Sequence, residues 1–436
     1  MLNNENLKNR DIYLNQLIAF QDKEPVKVVT GIRRSGKSKL LQLMIKHLLN
    51  EGKDESQIIE MNFEKLDYSL MSYIEVYNYV KNKIIKGKRM YLFFDEIQRI
   101  DGWENAINSL RVEYDVDIYV TGSNAYLLSS EYSTYLAGRC IEIKVLPLSF
   151  KEFLYFNDFK VENIDSAFGG KKLVILDKLN KTYSLKEAFD AYLLFGGMPG
   201  VSDIGLDQEK AFMLLDSIYN TVISRDILIR ERKRNQNNIT DAILLNKIVL
   251  FLADNIGSNI SFSKISNTLM NEGILEKDKK KKPSPHTVES YINSLLETYL
   301  FYEIKRFDIK GKEYLKTLGK YYISDIGIRN YLLGFRDRDK GHILENIVYF
   351  ELLRRGYDVA IGKIDDKEID FIATKFNEKI YYQVTLSMND ELVSKRELEP
   401  LLKVKDNYEK IVLSLDEGNE IYNGIKSINL INWLLN

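Results

Sequence analysis

The first third of the chain alternates short apolar stretches with longer amphipathic ones. Five stretches between residues 26 and 148 have the length and composition of strands: VKVVTGI, QIIEMNFE, RMYLFFDE, DIYVTGS and CIEIKVLPL. Three stretches between them repeat apolar residues with helical spacing: KSKLLQLMIKHLLN, MSYIEVYNYVKNKII and WENAINSLRVEY. Strands that are apolar on both faces are typical of a parallel sheet covered by helices, so the pattern predicts the α/β class.

The pattern changes after this sheet. Residues 149–240 have helical character, with a turn at FGGMPG, and residues 241–335 contain three helices and two strands in the order of a winged helix. The last hundred residues begin with a helix and continue with three strands, a helix and another strand. We therefore predict four segments: the core at 1–148, a helical lid and linker at 149–240, a winged-helix domain at 241–335 and a last α/β domain at 336–436.

A glycine-rich stretch, GIRRSGKS, connects the first predicted strand to the helix that follows. It fits the P-loop pattern G-x-x-x-x-G-K-[ST] at every required position. Its glycines allow backbone N–H groups to point at phosphate oxygens, its lysine supplies a cation for the β- and γ-phosphates, and its last serine is a ligand for Mg²⁺. The residues predicted to bind ATP are Gly31, Ile32, Arg33, Arg34, Ser35, Gly36, Lys37, Ser38 and Lys39.

Two acidic residues end the strand YLFFDE. Asp95 lies at the carboxyl end of the strand, where open α/β sheets bind their ligands, and we expect it to hold the metal with Ser38. Glu96 beside it can orient and deprotonate an attacking water. A kinase acting on small molecules does not need such a base, so the pair favours ATP hydrolysis.

Further candidates for the catalytic site follow along the chain. Ser123 or Asn124, after the next strand, can reach the γ-phosphate or the water. Arg139 is a candidate for stabilising the charge that develops in the transition state. An ordinary surface arginine is an equally good interpretation, and whether Arg139 acts in its own subunit or on a neighbour in a homo-oligomer stays open.

These elements, in this order, resemble the archaeal-like ATPases, an AAA-type P-loop family of bacteria and archaea. That family pairs its ATPase with a C-terminal domain of unknown function. The matching stretches are TGIRRSGKS, LFFDEIQ, VTGSNAYLLS, LAGR, LPLSFKEF, FGGMPG and SRDI. The resemblance implies ATP binding and hydrolysis, with Arg139 or Arg225 sensing the nucleotide, and it leaves the biological process undefined.

Residues 369–387, IDFIATKFNEKIYYQVTLS, are predicted to form a hairpin that resembles the core of restriction-endonuclease-like nucleases. Asp370 matches the metal-binding aspartate, and Glu345 on the preceding helix is a candidate supporting carboxylate. Gln383 and Thr385 stand where that core has an acid and a lysine. Because Mg²⁺ prefers anionic oxygens, the two exchanges weaken the site together, and a degenerate platform is favoured over a working nuclease.

Composition narrows the classes of partner. Lys and Arg number 62 and Asp and Glu 63, so any surface for nucleic acid must be local. Two basic runs, Lys279–Lys282 and Arg230–Arg234, suit phosphate contacts with DNA or RNA. The outward face of the third predicted helix of the winged helix has no arginine or lysine for reading bases, which favours a protein partner instead.

Cysteine, histidine and hydropathy exclude several other classes. A single cysteine, Cys140, rules out an intramolecular disulfide, and three dispersed histidines argue against a zinc site. No signal core and no membrane-length apolar run occur, so we expect a cytoplasmic protein without a membrane partner.

The preferred function is a Mg²⁺-dependent ATPase coupled to nucleic acid through the winged-helix and nuclease-like domains. The alternative is a nucleotide-switched signalling or regulatory protein that binds a protein partner. A nuclease under ATP control is a third interpretation of lower weight.

Overall fold

The computed structural model describes residues 7–125, 138–165, 171–233, 239, 241–271, 283–315 and 319–436, which form two compact units. The first unit contains the chain up to Leu146 together with Glu297–Tyr299, and the second contains Pro147–Leu296 and Leu300–Asn436. The border at Leu146 lies close to the predicted end of the core at residue 148. None of the helices in the described ranges combines the length and apolar character that crossing a membrane requires.

The described part of the first unit contains a parallel sheet with the strand order β2-β3-β4-β1-β5. Its strands are β1 (Val26–Thr30), β2 (Ile58–Asn62), β3 (Met90–Asp95), β4 (Val116–Thr121) and β5 (Cys140–Lys144). Every residue of the three central strands, β1, β3 and β4, is buried. All four strand pairs of this sheet are parallel, so the predicted parallel sheet is confirmed, and the buried central strands are covered on both faces.

Helices lie on both faces of this sheet. Helices α1 and α2 pack against Tyr91 and Tyr119 on one face, and α4 and α5 pack against Leu92 and Ile118 on the other. The helices are α1 (Asp11–Ala19), α2 (Lys37–Asn50), α3 (Leu66–Ser69), α4 (Tyr73–Lys81) and α5 (Trp103–Glu113).

A recurring local signal, Ser-x-x-Glu, starts three helices: α4, α6 (Phe150–Phe156) and α7 (Leu185–Phe195). Ser72, Ser149 and Ser184 each accept a hydrogen bond from the backbone N–H three residues later. The glutamate at that position accepts one from the serine N–H in return. The paired bonds satisfy N–H groups that a helix start leaves without partners, so this short pattern determines where the helices begin.

The segment from 149 to 240, predicted as a helical lid and linker with a turn at FGGMPG, also contains three strands, which corrects that prediction. An antiparallel sheet of β6 (Lys160–Asp165), β7 (Lys171–Leu176) and β8 (Thr182–Ser184) lies between α6 and α7. The run LVIL and the turn at Asn180, whose φ is 58°, carry the signal for this hairpin, and the helical interpretation overlooked it. The rest is α8 (Pro199–Asp203), α9 (Gln208–Thr221), a π-helix (Val222–Ile229) and α10 (Arg230–Lys233).

The next segment has the predicted order of three helices and two paired strands. Helices α11 (Ala242–Asp254), α12 (Phe262–Asn271) and α13 (Pro285–Glu297) precede β9 (Phe301–Ile304). Strand β9 pairs antiparallel with β12 (Lys320–Ile323). Between these strands, β10 (Arg306–Asp308) and β11 (Glu313–Tyr314) join a different sheet, because β10 pairs with a strand of the last domain. That sheet therefore crosses the predicted boundary at 335/336.

The last sheet has the strand order β11-β10-β13-β14-β15-β16-β18-β17 within the described residues. The predicted helix, three strands, helix and strand are all present, and β14 and β15 form the predicted antiparallel hairpin. The elements are α14 (Ile326–Leu333), α15 (Lys340–Arg354), β13 (Asp358–Ile364), β14 (Lys367–Lys375), β15 (Glu378–Val384), α16 (Glu391–Lys403), β16 (Glu409–Ser414), β17 (Glu420–Tyr422), β18 (Ile425–Asn429) and α17 (Leu430–Leu435).

The glycines of FGGMPG pack against the start of α14. The Asp325 carboxylate, which caps α14, accepts hydrogen bonds from the backbone N–H groups of Gly197 (2.6 Å) and Ile328 (3.0 Å). A Cβ on Gly327 would lie 2.2 Å from the carbonyl oxygen of Phe195. The close approach of two backbones explains why glycine occurs on both sides of this contact.

Replacing Gly327 with alanine is expected to lower the free energy of unfolding by about 1–3 kcal/mol, because backbone rather than a flexible side chain occupies the space of the new methyl group. Urea denaturation measures the change. Gly341→Ala, on α15, is the matched control: a Cβ there meets nothing within 4 Å, so stability should stay equal or rise slightly. Equal stability of both variants would contradict the close contact.

Candidate functional site

The phosphate loop, residues 31–38, connects β1 to α2. Gly31 has a φ of 137° and Gly36 a φ of 102°, conformations that side-chain-bearing residues rarely adopt. A Cβ on Gly31 would lie 2.2 Å from the carbonyl oxygen of Val145. Both pattern glycines are therefore required by the backbone path.

Two side chains of the loop indicate that it binds an anionic ligand. The Lys37 ammonium is buried and donates hydrogen bonds to the carbonyl oxygens of Gly31 (2.9 Å) and Ile32 (3.0 Å), so it lies within the curve of the loop. Ser35 is fully buried, and its hydroxyl oxygen has no hydrogen-bond partner among the described residues. An inward ammonium and an unsatisfied buried hydroxyl fit the phosphate groups of a nucleotide.

Asp95, at the end of β3, joins the loop to the sheet. Its Oδ1 accepts hydrogen bonds from the hydroxyl groups of Ser38 (3.0 Å) and Thr121 (2.5 Å), and its Oδ2 accepts one from the Asn62 amide (2.8 Å). Burial raises the pKa of Asp95, although the bonds from Thr121 and Ser38 oppose this shift. A hydroxyl beside a carboxylate fits Mg²⁺, which prefers hard oxygen ligands.

Glu96 has a left-handed backbone conformation, with a φ of 56°. Its side chain is almost fully buried, and its Oε2 accepts hydrogen bonds from the Gln98 amide (2.7 Å) and the Ser123 hydroxyl (3.3 Å). Its backbone N–H donates to Thr121 Oγ1 at 2.9 Å. Asn124, the next candidate, is buried beside Ser123 in the chain. Two donors thus hold the carboxylate next to Asp95. The left-handed backbone of Glu96 is uncommon for a non-glycine residue.

The sequence reasoning missed Asn62, Thr121 and Gln98. Asn62 and Thr121 end β2 and β4, which flank β3, so both lie at the same edge of the sheet as Asp95. A search for polar residues at the carboxyl ends of all predicted parallel strands would have found these two. Gln98 lies two residues after Glu96, and the sequence contained no comparable signal for its role.

The remaining predicted residues of the site are more dispersed. Arg33 lies 3.6 Å from Glu64, and Arg34 and Lys39 are exposed. Arg139 is exposed just before β5, and Arg225 is exposed in the π-helix of the second unit. The roles of both arginines in sensing nucleotide stay predictions.

The two basic runs are largely outside the described residues. Lys279–Lys282 and Arg234 belong to stretches that the structure does not describe. Residues 230–233 form α10, where Arg230 is half-buried. Their contact with nucleic acid stays a prediction.

The polar side chains of the nuclease-like hairpin form hydrogen bonds both within the hairpin and to a neighbouring helix. Asp370 Oδ2 accepts a hydrogen bond from the Val384 N–H (2.8 Å), and Gln383 Oε1 accepts one from the Asp370 N–H (3.3 Å). The Gln383 amide donates to Glu397 of α16 at 2.8 Å. Thr385 is buried, and its N–H donates to the Leu413 carbonyl oxygen. These bonds connect the hairpin to its neighbours.

A lysine that the sequence reasoning did not consider lies in this region. Lys320, buried on β12, places its ammonium 2.6 Å from Glu368 and 3.7 Å from Glu345. Burial lowers the pKa of Lys320, but Glu345, Glu368 and Asp370 outweigh it and raise the pKa overall. Burial, then Glu345, raise the pKa of Asp370 well above its ordinary value. We call these four residues the Lys320 cluster.

In the Lys320 cluster the Lys320 ammonium occupies the position between the carboxylates that a metal ion would take. Among the described residues, no group of three or more acidic, histidine or cysteine side chains has the arrangement of a metal site. Lysine was missing from the predicted nuclease pattern on β15, and the structure supplies one from a strand in another predicted domain. Only the pairing of distant segments reveals it.

The sheet, the phosphate loop and the Ser38–Asp95 pair define a P-loop protein. Residues 23–154 match the family model of an AAA domain, and residues 186–339 match a domain of unknown function, DUF8612. The chain belongs to the same family as an uncharacterized protein of Haemophilus influenzae, with 39% identity over 431 residues and 98% of both chains covered. The predicted P-loop AAA class is confirmed for the domain at residues 23–154.

Two more distant proteins are also similar. An uncharacterized protein of Methanocaldococcus jannaschii is 31% identical over 423 residues, which are 94% of this chain and 86% of that protein. Among solved structures, a Walker-type ATPase of Pyrococcus abyssi has 16% identity and a TM-score of 0.47, with 74% of this chain and 95% of that chain covered. The winged-helix and nuclease-like interpretations stay predictions.

Proposed function

We propose that the protein is a Mg²⁺-dependent ATPase whose nucleotide state is coupled to nucleic acid through its C-terminal segments. The observation that carries the ATPase proposal is the geometry around Asp95. Its carboxylate bonds to Ser38 of the phosphate loop, and Glu96 is held beside it by Gln98 and Ser123.

The phosphate loop binds the β- and γ-phosphates in this proposal. Lys37 exchanges its bonds to the carbonyl oxygens of Gly31 and Ile32 for bonds to phosphate oxygens. Ser38 and Asp95 hold Mg²⁺, which supplies positive charge against the phosphates when bound. The unsatisfied hydroxyl of Ser35 offers one more polar group to the cradle.

Glu96 acts as the general base. Its carboxylate accepts the proton of the attacking water, and the bonds from Gln98 and Ser123 orient it for that role. Asn124 is the candidate for contacting the γ-phosphate or the water. Arg139 is the candidate for stabilising transition-state charge, within the subunit or across the interface of a homo-oligomer.

Two features support a contact with nucleic acid. The order of three helices and an antiparallel strand pair is that of a winged helix. The basic run Arg230–Arg234 precedes this segment in sequence, and Lys279–Lys282 lies between its second and third helices. Phosphate contacts from such runs need no base recognition.

A nucleotide-switched regulatory protein is the second candidate. Helix α13 buries Val288 and Ile292 and exposes Glu289 and Asn293, so its exposed face has no cation for reading guanine. With a net charge of −1, the chain also lacks a general attraction to nucleic acid. These observations favour a protein partner.

The nuclease-like domain is proposed as a platform without cutting activity. Asp370 and Gln383 bond to backbone groups of their own hairpin, and Lys320 already neutralises the neighbouring carboxylates. A metal ion would have to displace that ammonium from its ion pairs with the half-buried Glu368 and Glu345.

Steady-state ATP hydrolysis with Mg²⁺ tests both candidates. We expect single- or double-stranded DNA or RNA to raise the rate several-fold at low salt, and the rise to fade at physiological salt because phosphate contacts release counterions. Exchanging Lys279–Lys282 for glutamate should remove the stimulation and leave the basal rate intact. A rate of ATP hydrolysis that does not change on addition of nucleic acid at either salt concentration would favour the nucleotide-switched regulatory protein.

A further inference from the structure

A buried arginine lies against the phosphate loop. Arg10, directly before α1, is only 4% exposed. One guanidinium nitrogen donates to the carbonyl oxygens of Ser35 (2.9 Å) and Leu146 (3.0 Å), and a second donates to Leu146 at 3.1 Å. A buried guanidinium is held in place only when its N–H groups are satisfied, so these bonds position the side chain firmly.

The two carbonyl groups belong to segments that determine the shape of the loop. Ser35 precedes Gly36 and Lys37, the end of the loop and the start of α2. Leu146 follows Val145, whose N–H donates to the Thr30 carbonyl oxygen at 2.8 Å and whose own carbonyl oxygen lies against Gly31. Residues 145 and 146 thus contact the beginning of the loop directly and its end through Arg10.

A second residue of the N-terminal segment, residues 10–13, also binds the chain at Leu146. Tyr13 of α1 is buried, and its hydroxyl oxygen accepts a hydrogen bond from the Leu146 N–H at 3.2 Å. The Arg10 guanidinium lies over the Tyr13 ring, 4.7 Å from its centre. The N-terminal segment therefore binds both the N–H and the carbonyl group of Leu146, the last residue before the chain enters the second unit.

The bond to Ser35 has a geometric consequence for nucleotide binding. In a planar trans peptide the C=O and the following N–H point in opposite directions. Because Arg10 holds the Ser35 carbonyl on one side of the chain, the Gly36 N–H is directed to the other side. Backbone N–H groups that point into the concave side of a phosphate loop are those that bind phosphate oxygens.

We propose that Arg10 is a positioning residue for the phosphate loop: it fixes the Ser35–Gly36 peptide and ties the loop to the segment at Leu146. The proposal rests on the ATPase function proposed above. The guanidinium adds positive charge beside the loop, which favours binding of an anion. Arg10 does not touch the reacting atoms in this role and acts through the backbone of the loop.

Four variants of the full chain test the proposal. Arg10→Met removes all the donors, Arg10→Lys keeps the charge without the planar fork, and Tyr13→Phe removes only the hydroxyl that binds Leu146. Arg111→Met is the matched control, because this arginine is also largely buried and bonds to Glu24 and Asn108 of the same unit. Thermal melting confirms that each variant is folded at the assay temperature.

The first readout is nucleotide binding and turnover. Arg10→Met should weaken the affinity for a fluorescent ADP analogue and raise KM for ATP by about tenfold, with a smaller change in kcat. Arg10→Lys should lie between Arg10→Met and the natural protein. Arg111→Met should lose about as much melting temperature as Arg10→Met but leave KM and the ADP affinity unchanged. Equal KM and ADP affinity in Arg10→Met and Arg111→Met would overturn the positioning role.

The second readout needs no nucleotide. Hydrogen exchange followed by mass spectrometry should show faster exchange of amides 31–38 in Arg10→Met than in Arg111→Met, with the amides of β3 unchanged in both. Unchanged exchange in the loop would overturn the proposal even if the protein hydrolyses ATP. If the loop amides respond to Arg10→Met but the natural protein neither binds nor hydrolyses ATP, the proposed ATPase function fails and the structural link between Arg10 and the loop stands.

Discussion

Glu96→Gln is expected to lower kcat for ATP hydrolysis by about 10²–10⁴-fold while the affinity for ATP changes by about twofold or less. Glutamine has the same shape, and its amide oxygen can still accept the bonds from Gln98 and Ser123. It cannot take a proton from water at neutral pH. The loss therefore falls on the chemical step and leaves binding by the phosphate loop intact.

Single-turnover hydrolysis and equilibrium binding of an ATP analogue separate these two effects. Glu104→Gln is the control, because Glu104 on α5 is buried to the same degree as Glu96 and lies outside the site. Full turnover in Glu96→Gln would refute the assignment of the base. Loss of binding together with turnover would mean that Glu96 supports the shape of the site instead.

Lys320→Met is expected to lower the free energy of unfolding by about 3–5 kcal/mol at neutral pH. The substitution keeps most of the volume and removes the ammonium that lies between Glu345 and Glu368. The half-buried carboxylates of Glu345 and Glu368 and the buried carboxylate of Asp370 then repel one another. Lys320 has a raised pKa, so its contribution is fully present at every pH below the ordinary lysine range.

The deficit of Lys320→Met should shrink as the pH falls from 7 towards 5. Without the Lys320 ammonium, which opposes the shift, the pKa of Asp370 rises further above its ordinary value, because burial and Glu345 already raise it. A carboxyl group with a raised pKa takes up its proton more readily in the folded state, so acid restores part of the stability.

Urea denaturation of the natural protein and the variant at both pH values measures the change. Lys367→Met is the control, since its ammonium pairs with Glu399 at the surface, 3.2 Å away, and should contribute less than about 1 kcal/mol. A Lys320→Met protein as stable as the natural one at pH 7 would show that the ammonium does not neutralise the cluster. A deficit that grows in acid would refute the role of the carboxylates.

The sequence predicted those functional residues of the site that are close together along the chain. The loop pattern at 31–38 and the Asp95–Glu96 pair each occupy a few neighbouring residues, and their spacing along the chain already defines their geometry. Asn62 and Thr121 come from other strands, and they meet Asp95 only because β2 and β4 flank β3. The sequence contains these residues but no local signal for their partner.

In the C-terminal half, more of the contacts join segments that are far apart in sequence, and the sequence did not predict them. The hairpin at 369–387 was predictable from its alternation, whereas the three-stranded sheet at 160–184 was overlooked. Strands β10 and β11 leave the predicted winged helix and pair into the last sheet. Strand partners that are far apart along the chain cannot be inferred from period alone, because hydrophobic alternation identifies a strand and not its neighbour.

The sequence by itself determined the α/β class, the parallel sheet, the phosphate loop and the carboxylates that follow β3, because each depends on local backbone preferences and the spacing of neighbouring residues. Tertiary structure decided which distant side chains complete these segments. Arg10 reaches the loop from the N-terminal segment, and Lys320 reaches the acidic residues of the last domain from β12. Burial of a charge requires a partner, but only the packed chain determines which residue provides it.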